Sequence, residues 1–278
     1  MFRIFVLIIS FFTMFSKVIS AQNAFFALYA GGNSQGIPFN SPLVRNISSQ
    51  SSGSTIRQVD FSLGQGLVFG ASQGFMFNEN CGLELDVSYL RGGQVSWRGY
   101  SMLVNSQSLF DLSVQSQMFR IGPSFVIQPY TEETKVIPYF KIGPLIGIGS
   151  IRLTEIEETS NRKSETRTLL KEDPNIGLGA KSGVVIPLIP RVFFFVELSF
   201  NSLTFSPKEG KVQQWIEDGQ DVLDSKSYSQ KNYFFENRLT YFSNEPSPDL
   251  PTKRLRQVFP MSSLGLNLGI RLNEIGFR

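Results

Sequence analysis

The chain has 278 residues, of which 18% are charged and 13% aromatic, and its formal net charge is +3. This charge is too small to indicate a nucleic-acid partner. The sequence contains no histidine and one cysteine, which excludes zinc sites built from those residues, a Ser-His-Asp triad, a histidine general base and an internal disulfide. We therefore predict no catalytic, cofactor-binding or metal site, and we interpret Cys81 as a small apolar strand residue.

The first 21 residues have the features of a cleaved secretory signal peptide. Arg3 supplies the positive end, residues 4–15 form an apolar run too short to span a membrane, and Ala21 supplies the small residue at the cleavage point. The remaining residues, 22–278, are predicted to form one domain. They contain no run of eighteen apolar residues, so they cannot cross a membrane as helices.

Eight segments of this domain show the two-residue period of β-strands, with apolar and polar side chains on opposite faces. In the third, Leu83, Leu85 and Val87 alternate with Glu84 and Asp86. The second is predicted to place Leu63 and Leu67 on its apolar face, whereas the first has large apolar groups on both faces. The predicted strands are approximately 24–31, 61–77, 82–97, 112–128, 137–153, 175–187, 191–205 and 261–273.

The connections between these strands alternate between long and short. The long ones are about 32–57, 98–110, 154–173 and 206–259, and the short ones are 78–80, 129–136 and 188–190. An even strand number with this alternation is typical of outer-membrane barrels, and closure leaves no unpaired edge in lipid. The sequence therefore predicts an all-β fold: an eight-stranded antiparallel transmembrane β-barrel with short periplasmic turns and long extracellular loops.

The polar faces of the predicted strands carry charged residues that must avoid lipid. Each lysine or arginine near the bilayer midplane would cost roughly 2–4 kcal/mol, and four would rival the roughly 5–15 kcal/mol that stabilises a typical domain. We therefore predict that the polar face lines the lumen, where acids and bases pair and glycines leave room for them. This lumen charge cluster comprises Glu84, Asp86, Arg120, Lys141, Lys181, Glu197 and Arg271. The preferred interpretation is a structural plug, because eight strands leave little bore; the alternative is a conduction or gating path.

Aromatic residues near the predicted strand ends suit the girdles found at membrane–water interfaces. Phe75, Phe77, Tyr89 and Trp97 are candidates, although ordinary packing is the alternative for some of them.

These features resemble the small outer-membrane β-barrels of Gram-negative bacteria. Within that group, residues 24–273 are similar to the Bacteroidetes-type outer membrane β-barrel domain family, which includes PorT-like proteins. The resemblance rests on the Ala21-Gln22 junction, the Arg120-Ile121-Gly122-Pro123 and Lys141-Ile142-Gly143-Pro144 strands and the glycine-rich last strand. It implies an outer-membrane location, contact with outer-membrane lipid, and the barrel assembly machinery as a partner during biogenesis.

The long segment 206–259 is the predicted binding surface for a protein or glycan partner, because exposed tyrosine and tryptophan anchor protein contacts. The alternative is a strand pair that extends the barrel beyond the membrane. The candidate residues are Trp215, Tyr228, Tyr233, Phe234, Phe235, Tyr241 and Phe242.

The predicted function is that of a non-enzymatic barrel at the cell surface, either structural or binding, with a plugged polar lumen. The alternatives are a small-solute channel and an accessory component of an outer-membrane secretion or assembly system. A soluble exported barrel of the lipocalin kind would instead place its apolar face inward.

Overall fold

A computed structural model describes residues 24–35, 45–50, 53–58, 61–103, 106–129, 136–159, 162–239 and 247–273. The predicted signal peptide, Tyr241 and Phe242 lie outside the described residues. In the part of the chain that is described, no helix is both long and apolar enough to span a bilayer.

The described residues form mostly β-strands, together with one four-residue helix, α1 (Tyr228–Lys231), and a 3-10 turn at Leu223–Ser225. The strands are β1 (Ala24–Gln35), β2 (Arg45–Gln50), β3 (Gly53–Gln58), β4 (Gly66–Met76), β5 (Cys81–Leu103), β6 (Ser106–Ile127), β7 (Ile137–Thr159), β8 (Arg162–Lys171), β9 (Asn175–Ile189), β10 (Val192–Ser202), β11 (Thr204–Phe205), β12 (Glu209–Glu217), β13 (Gln220–Asp221), β14 (Asn232–Glu236), β15 (Thr252–Leu255), β16 (Phe259–Pro260) and β17 (Ser263–Asn273).

Eight of these strands close into an antiparallel barrel. The order around it is β1, β4, β5, β6, β7, β9, β10 and β17, and β17 pairs back onto β1. Each neighbouring pair is antiparallel, so every strand edge at the level of the barrel is hydrogen-bonded. The predicted eight-stranded antiparallel barrel is therefore confirmed.

Several strands continue well past the length that a membrane requires. β5 and β7 each have 23 residues, more than twice the roughly 9–11 residues of a tilted membrane-spanning strand. The predicted loops at 98–110 and 154–173 are accordingly wrong over most of their length, since they are the ends of β5, β6 and β7 together with β8. The predicted loop at 32–57 likewise contains the β2–β3 hairpin. Outside lipid a strand need not present an apolar outer face, so strict alternation does not mark these residues.

Beyond the barrel, β7 stays paired with β6 on one edge and exchanges β9 for β8 on the other. Its residues 137–147 pair with β9, whereas residues 150–159 pair with β8. β8 then pairs with β12, β12 with β14 and β13, and β14 in parallel with β15. Much of the predicted loop at 206–259 therefore extends the barrel as strands. We call β8, β12, β14 and β15 the external sheet.

The two faces of the barrel wall have the predicted orientation. Leu264, Leu266, Leu268 and Ile270 on β17 are 46–50% exposed on the outer surface, whereas Glu197 on β10 is 1% exposed. β1 follows the same rule, because Phe25, Ala27 and Tyr29 are buried inside while Leu28 is 55% exposed outside. A lipocalin-like arrangement, with the apolar face inward, is excluded.

A bulge in β5 explains why the predicted girdle position of Trp97 is wrong. The pairing of β5 with β6 shifts between Arg91 and Gln94, and one extra residue in a strand reverses the face on which later side chains lie. A side chain at Gly92 would overlap the Ser116 hydroxyl, so this bulge depends on glycine. Trp97 consequently points inward and is 8% exposed, whereas Phe77 is 53% exposed on the outer surface as predicted.

Leu63 is likewise not on the outer surface. The strand predicted to begin at Phe61 begins at Gly66, after a turn at residues 63–64, and Gly66 has a φ of +139°. The turn carries Leu63 into the barrel mouth, where its amide donates to the carbonyl of Pro260 at 2.9 Å and its side chain is fully buried.

Candidate functional site

The structure places all seven predicted lumen charges inside the barrel, at the level of its apolar outer band. Lys141 on β7, for example, is 8% exposed and lies between Phe140 and Ile142, which are 40% and 39% exposed on the outer surface. The inward side chains are Glu84 and Asp86 from β5, Arg120 from β6, Lys141 from β7, Lys181 from β9, Glu197 from β10 and Arg271 from β17.

Glu197 is the central member of this cluster. One of its carboxylate oxygens, Oε2, lies 3.1 Å from Lys141 Nζ and accepts a hydrogen bond of 3.0 Å from the Tyr139 hydroxyl. The other, Oε1, lies 3.4 Å from Lys181 Nζ and accepts a hydrogen bond of 3.0 Å from Asn267 Nδ2. The buried carboxylate on β10 thus contacts side chains from three other strands, β7, β9 and β17.

Each of the two lysines also contacts a second carboxylate. Lys141 Nζ donates to Glu84 Oε1 at 2.9 Å, and Lys181 Nζ donates to Asp86 Oδ2 at 2.9 Å. The Tyr29 hydroxyl donates to the same Asp86 oxygen at 2.7 Å, and Lys181 Nζ lies 4.7 Å from the centre of the Tyr29 ring. The three acids are therefore linked through two shared cations, which is the arrangement that compensates buried charge.

Tyr29 and Tyr139 belong to this network but were not predicted as site residues. Tyr29 was obscured because β1 has large apolar groups on both faces. Inward glycines make room for such rings: a side chain at Gly70 would overlap the ring of Tyr29, and one at Gly74 would overlap Phe25. Inward glycines do leave space, as expected, but at Gly70 and Gly74 an aromatic ring fills it instead of a charged side chain.

The two arginines do not share these carboxylates in the same way. Arg271 donates to Gln128 Oε1 at 3.1 Å and to Asn273 Oδ1 at 3.0 Å, and its guanidinium lies 3.7 Å above the Phe25 ring. Arg120 is 4% exposed, and its Nε has no hydrogen-bond partner among the described residues. Four cations and three anions thus leave the cluster with one net positive charge.

Little free volume remains between these side chains. The cavity lined by Arg120, Asp86, Lys181 and Asn267 has a volume of about 20 Å³, which is room for about one water molecule.

A hydrophobic layer closes the barrel mouth above the charges. It consists of Leu63, Leu203, Phe205, Phe259 and Met261, each at most 5% exposed, and it is held by pairing of β11 with β16. We call these five residues the mouth layer. Sequence reasoning missed it because Phe259 lies in a predicted loop and the other four lie near the ends of predicted strands, where Leu63 was expected on the outer face. Within the described part of the chain, the lumen is closed at two levels.

The predicted binding residues of segment 206–259 do not form one exposed surface. Tyr228 is 51% exposed, but Phe235 is 4% exposed and belongs to the hydrophobic core. Successive side chains of β14 lie on opposite faces of the strand, so Phe235 points into the core cluster and Phe234 points away from it. Phe235 is therefore unavailable to a partner, a correction to its predicted role.

Three of the other candidates meet at an open cleft of about 460 Å³ in the external sheet. Tyr228, Tyr233 and Phe234 line this cleft together with Lys171 and Lys211. Trp215 is not among its lining residues; its ring instead packs under Lys226, whose Nζ lies 4.6 Å from the ring centre.

Comparison with solved structures gives distant likenesses to two outer-membrane proteins. The chain is similar to a major outer membrane protein from Thermus thermophilus, with 13% identity and a TM-score of 0.43, over 90% of this chain and 99% of that one. It is also similar to the outer membrane protease OmpT from Escherichia coli, with 7% identity and a TM-score of 0.29, over 91% and 97% of the two chains. No family model and no curated protein matches the sequence. Both likenesses are too distant to carry an argument about function.

Proposed function

We propose that the protein is a non-enzymatic outer-membrane β-barrel that holds the external sheet at the cell surface and whose lumen is plugged. The observation that carries this proposal is the ion-pair network around Glu197. It crosses the barrel at membrane level, and the mouth layer closes the path above it.

The outer-membrane location is supported by the physics of the barrel wall. Its outer face presents an apolar band to the surroundings, while its charged side chains are directed inward, as expected for a barrel in lipid. The export signal, the use of the barrel assembly machinery during biogenesis and membership of the Bacteroidetes-type, PorT-like family stay predictions from the sequence, as does a role in a secretion or assembly system.

The non-enzymatic assignment rests on the side chains that remain for chemistry. The chain has no histidine, and the lumen acids Glu84, Asp86 and Glu197 each contact a lysine within 3.4 Å. A carboxylate held in such pairs lies in a closed space without room for a substrate. Binding is therefore assigned to the external sheet, where the cleft at Tyr228, Tyr233 and Phe234 is the surface that a protein or glycan would contact.

Single-channel recording in a planar bilayer tests the plug directly. We expect the folded wild-type protein to give no discrete conductance steps, because the ion-pair network crosses the barrel and the cavity beside Arg120 holds about one water molecule. Co-reconstitution with a general porin shows that the bilayer reports channels, and a fluorescent label on Cys81 shows that the protein has inserted. Regular steps from the wild-type protein would replace this proposal with the small-solute channel.

A further inference from the structure

A further cavity lies outside the lipid-facing part of the barrel, where β5, β6, β7 and β8 face β14 and β15. Its volume is about 250 Å³. We call it the aromatic cavity, because most of its lining is aromatic or aliphatic. The main lining residues are Phe61, Trp97, Leu112, Leu153, Tyr233 and Phe235. It is separate from the lumen cavity at Arg120, with which it shares no lining residue.

One buried polar atom in this lining has nothing to bind. Trp97 is 8% exposed, and its indole Nε1 has no hydrogen-bond partner among the described residues. A buried N–H without an acceptor costs roughly 1–3 kcal/mol, and such groups in native proteins usually have a partner. The ring itself is fixed, because it packs edge-on against Phe61 with centroids 4.7 Å apart. The donor therefore belongs to a fixed ring that lines this cavity.

Four polar side chains, Glu155, Thr168, Arg254 and Gln257, also line the cavity, and the two charged ones have opposite signs. The Arg254 guanidinium lies 3.6 Å above the Tyr233 ring. Burial raises the pKa of the Glu155 carboxyl, and the charge of nearby Arg254 opposes that rise only in part. The cavity is therefore suited to an uncharged guest more than to an ion.

From these observations we propose that the aromatic cavity binds a small, flat, uncharged molecule that presents one hydrogen-bond acceptor to Trp97 Nε1–H. The volume lies just below the roughly 300–1,000 Å³ of sites for drug-sized ligands, which limits the guest to one or two fused rings. This site depends on the external sheet of the proposed function but not on the closed lumen. A failure to bind ligand would therefore not contradict the plugged lumen, and a measured conductance would not contradict ligand binding in the aromatic cavity.

Quinoline and naphthalene are matched probes for this site, because they share size and shape and differ by one acceptor nitrogen. The experiment uses the Trp215→Phe protein in detergent micelles, in which Trp97 is the remaining tryptophan. We expect quinoline to shift the Trp97 indole N–H resonance saturably. One hydrogen bond should make quinoline bind roughly 2- to 12-fold more tightly than naphthalene.

Two variants separate this binding from simple partition into the micelle. Leu112→Phe combined with Leu153→Phe fills the cavity and should abolish the saturable shift. Trp97→Phe, followed through the ligand resonances, should bind both probes equally and so lose the preference for quinoline. Heat-modifiable gel migration reports whether each variant is folded. The proposal is overturned if quinoline gives no saturable shift, if naphthalene binds as tightly as quinoline, or if Trp97→Phe retains the preference.

Discussion

Glu197→Gln is expected to lower the free energy of unfolding by about 3–5 kcal/mol, the usual cost of breaking a buried ion pair by removing one partner. The substitution keeps the shape of the side chain but removes its charge. Lys141 and Lys181, which contact it at 3.1 and 3.4 Å, would then share only Glu84 and Asp86. Urea unfolding of the protein reconstituted in lipid vesicles measures the change.

The matched control is Glu158→Gln at the tip of β7. The Glu158 side chain is 51% exposed and lies 3.6 Å from Lys163 Nζ, so its pair is an exposed one that should contribute at most about 1 kcal/mol. If the two variants lose the same small amount, the network around Glu197 does not stabilise the barrel and the plug loses its physical basis.

Leu268→Arg is expected to lower the free energy of unfolding by about 2–4 kcal/mol, the cost of placing arginine near the bilayer midplane. Leu268 is 46% exposed and lies in the middle of β17. In water, a cation at such an accessible position would cost little. The penalty therefore arises only if the surroundings of this side chain are acyl chains.

Leu255→Arg provides the comparison, because Leu255 is also a strand leucine and is 56% exposed. It lies on β15 in the external sheet, so arginine there should change stability by no more than about 0.5 kcal/mol, as at ordinary surface positions. Equal effects at Leu268 and Leu255, measured in the same vesicles, would contradict a membrane-embedded outer face.

The barrel and its orientation could be predicted because the membrane enforces strict alternation. On β17, leucines that face lipid alternate with polar residues that face the lumen, such as Asn267 and Arg271. This alternation can be seen directly in the sequence. The same reasoning named seven charged residues that the structure directs inward. It could not give their partners, because pairing depends on the register between strands distant in sequence, such as β7 with β9.

The features that escaped prediction lie where this constraint ends. Trp97 is on the opposite face from that expected because a bulge at Gly92–Gly93 adds a residue that alternation cannot reveal. Above the membrane, water replaces lipid, so the sequences of the ends of β5 and β6 lack a regular apolar alternation and look like loops. Phe235 is buried because it belongs to a core cluster with Phe61 and Trp97, a tertiary contact with no local signal.

The lipid-facing orientation is tested most directly by a nitroxide scan along β17 in vesicles, with native Cys81 replaced by serine. Labels at Leu264, Leu266, Leu268 and Ile270 should collide often with oxygen, which concentrates in the acyl region, and rarely with a water-soluble nickel complex. Labels at Ser263, Asn267 and Asn273 should show low collision rates with oxygen. High nickel accessibility at the leucine positions, or no two-residue period in the oxygen collisions, would contradict this account.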